Sequence, residues 1–76
     1  MNKERRKVLG EIQSQIEYLK DRLEEVMGEE EEYRDNIPEN LHSSERYEKA
    51  ESACYEMEEA VSQLDEAARS IEAAME

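Results

Sequence analysis

The residues of this chain that could do chemistry are one cysteine, one histidine and many carboxylates. Cys54 has no histidine near it in the sequence, and His42 is the only histidine. A catalytic thiol needs a neighbouring base, so a buried, inert thiol is the simpler interpretation of Cys54. The sequence contains no glycine-rich phosphate loop, nucleophile triad or nucleotide-binding fingerprint. We therefore predict that the protein is not an enzyme.

The carboxylates raise the question of a metal site. The densest run is Glu29, Glu30, Glu31 and Glu32, which could hold a hard cation loosely or simply form a solvated acidic surface. Di-metal sites in helical bundles combine Glu with Glu-x-x-His at inward positions. His42 lies outside the periodic segments, so we expect no metal and no cofactor.

The net charge of −12 indicates which partners the chain can have. Repulsion from phosphate disfavours direct contact with nucleic acid or an anionic membrane and favours a partner protein with a basic surface. One basic cluster, which we call the basic end, stands apart: Lys3, Arg5, Arg6 and Lys7. The basic end could contact a nucleotide, or it could complement the acids near the C-terminus, with Arg6 facing Glu72.

Two helices must position these residues, and the second is the clearer one. From Arg46 onward the sequence keeps a seven-residue apolar repeat, which is typical of a helix with a packing seam. The seam consists of the a positions Tyr47, Cys54, Val61, Ala68 and Met75, and of the d positions Ala50, Met57, Leu64 and Ile71. Small residues fill the g positions beside it: Ala53, Ala60, Ala67 and Ala74.

An earlier segment carries a second heptad series. Its a positions are Leu9, Ile16, Leu23 and Glu30, and its d positions are Arg5, Ile12, Leu19, Val26 and Tyr33. Asn2 is suited to cap the start of this helix. Gly28 could stop it, but the seven-residue step from Val26 to Tyr33 favours continuation.

Pro38 separates the two helices, because a proline forces the preceding residue out of the helical conformation. We predict helices at about 2–33 and 44–75, a turn at 34–43 and a single domain over 1–76. Pro38 to Leu41 can form one helical turn, and Ser43 or Ser44 can cap the second helix. Ile37 and Leu41 could cover the end of the helices or anchor a partner.

The two seams match if the chain is all-α and folds as an antiparallel hairpin. Leu23 then lies opposite Met57 and Ile16 opposite Leu64, while Lys20 faces Glu58 and Gln13 faces Asp65. The remaining flank suits a second hairpin, giving a four-helix-bundle homodimer. We predict this oligomer interface to comprise Val8, Gln15, Arg22, Ala53, Ala60, Ala67 and Ala74.

The sequence contains no signal peptide and no apolar run long enough to span a membrane, which takes about 18 residues or more. A single free cysteine suits a reducing compartment. We therefore expect a soluble, cytoplasmic protein.

A resemblance adds to these expectations. Residues 35–41 read D-N-I-P-E-N-L, and residues 43–48 read S-S-E-R-Y-E. With the glutamate run before them and acidic heptads after them, the chain resembles a group of short proteins of phages and prophages of Gram-positive bacteria. The resemblance implies a phage or mobile-element origin, so that the expected cytoplasm would be that of a bacterial host, and it carries no known catalytic residues. Small acidic phage proteins are often inhibitors of host defence or of nucleic-acid enzymes.

Two hypotheses follow. In the first, the protein is a homo-oligomer that binds and inhibits or adapts a host protein through Glu29, Glu30, Glu31, Glu32, Tyr33, Ile37, Leu41 and Tyr47. In the second, an oligomer encloses an anionic signalling nucleotide between its basic ends and tyrosines. Tyr18 and Tyr55 lie outside the seam and could be binding anchors or ordinary surface residues. A purely structural role in the phage is a further alternative.

Overall fold

The structure, a computed structural model, describes residues 1–76 and contains two helices joined by a short turn, with no strand. Helix α1 spans Lys3–Asp35 and helix α2 spans Glu45–Ala74, with a single 3-10 turn at Glu39–Leu41 between them. The all-α prediction is confirmed. The extents of 59 × 15 × 13 Å fit a helical hairpin. Neither helix is long and apolar enough to span a membrane.

Side-chain caps fix where the helices begin. Asn2 Oδ1 accepts a hydrogen bond from the backbone N–H of Arg5 at 2.8 Å, and Ser44 Oγ accepts one from the N–H of Tyr47 at 3.3 Å. Helix α1 continues through Gly28, as expected, and ends at Asp35, two residues later than predicted. The N–H of Ile37 still donates to the carbonyl of Arg34, and Pro38 then prevents further helix.

The buried residues lie on one side of α2 and in the turn. Ala50, Cys54 and Ala68 of α2 are buried, as is Ile37, whereas α1 has no fully buried residue. All three α2 residues occupy the predicted seam. Their small side chains let the two helices approach closely. The core is therefore thin, and the large apolar side chains are only partly covered.

The d positions of α1, expected to share the seam with its a positions, are more exposed than the a positions. Leu19 and Val26 are 49% and 52% exposed, and Ile12 and Tyr33 are also exposed. The half-buried side of α1 instead consists of its a and e positions: Leu9, Gln13, Ile16, Lys20, Leu23, Met27, Glu30 and Arg34. Helix α1 is thus rotated about its own axis relative to the prediction, so that its a and e positions, rather than its a and d positions, are the half-buried ones.

Polar contacts explain this rotation. Gln13 Nε2 donates to the carbonyl of Ala68 at 3.2 Å, rather than facing Asp65. Lys20 Nζ lies 3.4 Å from Asp65 and 3.4 Å from Glu17, rather than pairing with Glu58. The hydrogen bond to Asp65 is the largest of the effects that raise the pKa of Lys20. Long side chains at e positions cover α2 with their alkyl stems and place their polar ends on acceptors.

Candidate functional site

The turn between the helices folds tightly upon itself. Ile37 is only 7% exposed. His42 Nε2 lies 3.2 Å from the carbonyl oxygen of Ile37 and therefore donates to it, because a carbonyl only accepts. The His42 ring stacks on Tyr47, with 4.1 Å between ring centroids and 17° between planes. Pro38 and this stacked pair give the turn a defined shape.

A contact between the helix ends closes the same region. Arg46 Nε donates to the hydroxyl of Tyr33 at 2.6 Å, and the guanidinium lies 5.4 Å from the centroid of the Tyr33 ring. This contact links the last turn of α1 to the first turn of α2. We call residues 29–47, which include it, the tip.

The tip contains a shallow cavity of about 260 Å³. Its lining is Tyr33, Asn36, Ile37, Pro38, Leu41, Ser44 and Arg46. Leu41 is 48% exposed at this cavity. The volume is below the roughly 300–1,000 Å³ of typical small-molecule sites, so the cavity suits a single side chain of a partner.

The glutamate run gives the tip its charge. Glu29 and Glu32 are exposed, whereas Glu30 and Glu31 are half-buried. None of the four takes part in an ion pair. Glu31 lines the cavity at Cys54 together with Arg34, whereas the charges of Glu29 and Glu32 are exposed to solvent.

The structure brings together some of the predicted partner-binding residues. Tyr33, Ile37 and Leu41 line one cavity, and the glutamate run lies on the preceding turns of α1. Tyr47 is half-buried under His42 and does not line the cavity. Ile37 is buried, whereas Leu41 is open to solvent.

The basic end lies on the first turns of α1, far along the chain from the tip. Its four side chains, Lys3, Arg5, Arg6 and Lys7, are exposed. No ion pair includes any of them, so the expected pairing of Arg6 with Glu72 is not formed. The basic end is thus a second charged cluster without an intramolecular partner.

The rotation of α1 leaves one of its sides uncovered. All d and g positions from Arg5 to Glu29 are exposed, and we call them the open face: Arg5, Val8, Ile12, Gln15, Leu19, Arg22, Val26 and Glu29. Three of these, Val8, Gln15 and Arg22, belong to the predicted oligomer interface. On α2, Ala67 and Ala74 of that interface are exposed, whereas Ala53 and Ala60 are half-buried.

Two exposed tyrosines lie outside the tip. Tyr18 and Tyr55 are 63% and 60% exposed. Arg22 lies 5.9 Å from the centroid of the Tyr18 ring, a weak cation–π contact at an exposed site. Tyr55 borders the cavity at Cys54.

Cys54 lies between the helices at the edge of a second cavity, of about 340 Å³, which Met27, Arg34 and Tyr55 also line. Burial raises the pKa of the thiol, and the guanidinium of Arg34 opposes this only partly. The thiol is therefore protonated at neutral pH. No group of three or more His, Cys, Asp or Glu side chains is arranged to hold a metal ion.

We expect Cys54 to react slowly with maleimide or iodoacetamide in the folded protein at pH 7.5, because the thiolate is the nucleophile and it is disfavoured by burial. Unfolding in urea should accelerate the reaction by about tenfold or more, since exposure restores the ordinary pKa. Mass spectrometry of the labelled protein over time measures both rates. Equal rates with and without urea would contradict the burial of Cys54.

Several residues of the tip were not predicted from the sequence. Asn36, Ser44 and Arg46 line the cavity, although their spacing gives no sign of it. The sequence offered one signal for this cavity: Arg46 occupies the g position directly before the seam residue Tyr47. Comparison with known proteins finds no family model, no curated protein and no solved structure that matches the chain.

Proposed function

We propose that this chain is a non-enzymatic, acidic binding protein that acts on a host protein through its tip. In this proposal the helices form an antiparallel hairpin, two hairpins assemble as a four-helix-bundle homodimer, and the tip docks into a basic groove of the partner. The action is inhibition or adaptation of that partner in the cytoplasm of a bacterial host.

Three contacts support the antiparallel hairpin. Gln13 contacts Ala68, Lys20 contacts Asp65, and Tyr33 contacts Arg46. As the residue number on α1 rises, the number of its partner on α2 falls.

The observation that carries the function is a glutamate run without ion pairs on the turns of α1 that lead to the tip cavity. Outward-facing negative charge steers a protein toward a basic surface and raises the association rate. Charge alone gives little affinity at exposed sites, about 0–1 kcal/mol for each pair. The cavity and exposed Leu41 supply the apolar anchor that such an interface needs. Together they suit a basic groove with an apolar side chain at its edge.

The resemblance to short phage proteins supports the identity of the partner as a host protein, and it is the basis for proposing an anti-defence role. A purely structural phage role would need no unpaired charge at the tip.

To test this proposal, we would replace Glu31 and Glu32, which lie outside the d and g positions of α1, by lysine and capture partners from host lysate. The partner held by the wild-type protein should be lost or strongly reduced, because the steering charge is reversed. With the captured partner purified, wild-type binding should weaken as salt rises. Titration calorimetry between low and high salt measures this dependence.

The matched control replaces Glu56 and Glu59 by lysine. This variant has the same net charge, but the changes lie on exposed positions of α2 outside the tip. It should keep the partner. The proposal would be contradicted if binding depended neither on the salt concentration nor on the charge of the glutamate run.

The exposed, unpaired basic end favours one other function, an oligomeric sponge for an anionic signalling nucleotide. Replacement of Lys3, Arg5 and Arg6 would then abolish binding of the nucleotide. Native mass spectrometry of the protein from host cells would show bound nucleotide.

A further inference from the structure

The open face of α1 combines apolar residues with charges that have no partner in the same chain. Val8, Ile12, Leu19 and Val26 form an exposed apolar row along it. Arg5 lies at one end of this row and Glu29 at the other, and neither takes part in an ion pair. The face therefore has opposite charges at its two ends and an apolar centre.

This arrangement is self-complementary when α1 is turned end for end. If two copies of α1 pack antiparallel through their d and g positions, Arg5 of one copy lies opposite Glu29 of the other. In the same register Val8 meets Val26, and Leu19 meets Gln15 near the middle. Arg22 then lies beside Ile12 and can extend its guanidinium toward Glu11 of the second copy.

We propose that the open face binds a second copy of this chain, with a two-fold axis that crosses α1 between Gln15 and Leu19. The inference deepens the homodimer of the proposed function and rests on it. It differs from the interface predicted from the sequence in placing the two α1 helices, rather than the alanines of α2, at the centre of the dimer.

Charge selects this orientation. A parallel pair of α1 helices would place Glu29 of one copy against Glu29 of the other, together with the rest of both glutamate runs. Like charges placed opposite each other destabilise an interface. The antiparallel pair instead places Arg5 against Glu29 twice, once at each end.

The open face supplies about half of the area that a stable dimer needs. From Arg5 to Glu29 the helix is about 36 Å long, and a helix is about 10 Å wide, so the strip has a projected area on the order of 360 Å² in each copy. Stable complexes bury roughly 800 Å² of accessible surface per partner.

The first test is carried out on the protein alone, so it does not depend on the host partner. Light scattering at micromolar concentration should give twice the chain mass of 9.0 kDa. Leu19→Lys should weaken dimerisation by roughly a hundredfold, because it places two lysines at the centre of the interface. Tyr55→Lys, an equally exposed site outside the open face, should leave the dimer unchanged. Circular dichroism checks that both variants remain helical.

The second test is a charge exchange. Arg5→Glu and Glu29→Arg should each weaken the dimer about three- to tenfold when alone, and an equimolar mixture of the two variants should form a heterodimer of wild-type affinity. The controls are Lys7→Glu and Glu31→Arg, which make the same charge changes on other sides of α1.

The outcomes distinguish between the position of the interface, its orientation and the proposed function. A monomeric wild-type protein, or a dimer indifferent to Leu19→Lys, would overturn the open face as the interface. Loss with Leu19→Lys but no rescue in the mixture would overturn the antiparallel orientation. A dimer that behaves as expected, but whose tip variants still bind the host partner, would leave this inference standing and refute the proposed function.

Discussion

Replacement of Ala68 by glutamate is expected to unfold the protein. Ala68 is 3% exposed, and its carbonyl accepts the hydrogen bond from Gln13. A glutamate there would place a carboxylate against α1 with no basic side chain in contact. An uncompensated buried charge costs about 3–5 kcal/mol, which matches the whole stability of about 3–5 kcal/mol that a core of this size supplies.

Circular dichroism at 222 nm and urea titration at 25 °C measure this effect. Ala73 lies on the same helix and is exposed, so Ala73→Glu is the matched control and should cost less than about 1 kcal/mol. Ala68→Leu should fall between them at about 1–3 kcal/mol, because it overpacks the contact without adding charge. If Ala68→Glu were as stable as Ala73→Glu, the close helix contact at this position would be refuted.

The predictable part of the fold is that fixed by local chemistry. Asn2 and Ser44 cap the helices because their side chains accept from the first free N–H groups, and Pro38 ends the first helix in any context. The seam of α2 was also predictable, since only one of its faces is apolar. Ala50, Cys54 and Ala68 are buried there.

The rotation of α1 was not predictable from the heptads. The a column of α1 has apolar d side chains on one side and long, partly apolar e side chains on the other. Either the a and d face or the a and e face can therefore pack against α2. The choice depends on tertiary acceptors, namely Asp65 for Lys20 and the Ala68 carbonyl for Gln13. A heptad pattern also does not distinguish a face that packs within one chain from a face that packs between copies.

The candidate site also has parts that the sequence predicts and parts that it does not. The glutamate run and the basic end can be recognised in the sequence because each is a cluster of like charges. The tip cavity depends on Arg46 reaching Tyr33 and on the His42 ring stacking on Tyr47, and these contacts follow from the turn geometry. The sequence left open whether Ile37 and Leu41 cover the helix ends or anchor a partner, and the structure gives them different exposures.

Ile37→Ala and Leu41→Ala should therefore have opposite consequences. Ile37 is 7% exposed, so its truncation should cost about 2–4 kcal/mol of unfolding free energy. Leu41 is 48% exposed, so its truncation should cost less than about 1 kcal/mol. Urea titration of the two variants beside the wild-type protein measures both values.

Among variants that remain folded, binding to the proposed host partner should be weakened more by Leu41→Ala than by Ile37→Ala. Leu41→Ala removes the apolar anchor at the tip cavity and should weaken binding by about tenfold, because truncation of an interface anchor costs more than 1 kcal/mol. Its helix content and its dimerisation should not change, since Leu41 lies outside the open face. A Leu41→Ala variant that binds as well as the wild-type protein would leave the glutamate run as the only determinant at the tip. Binding at high salt would then vanish altogether, rather than fall to the level that the apolar contact sustains.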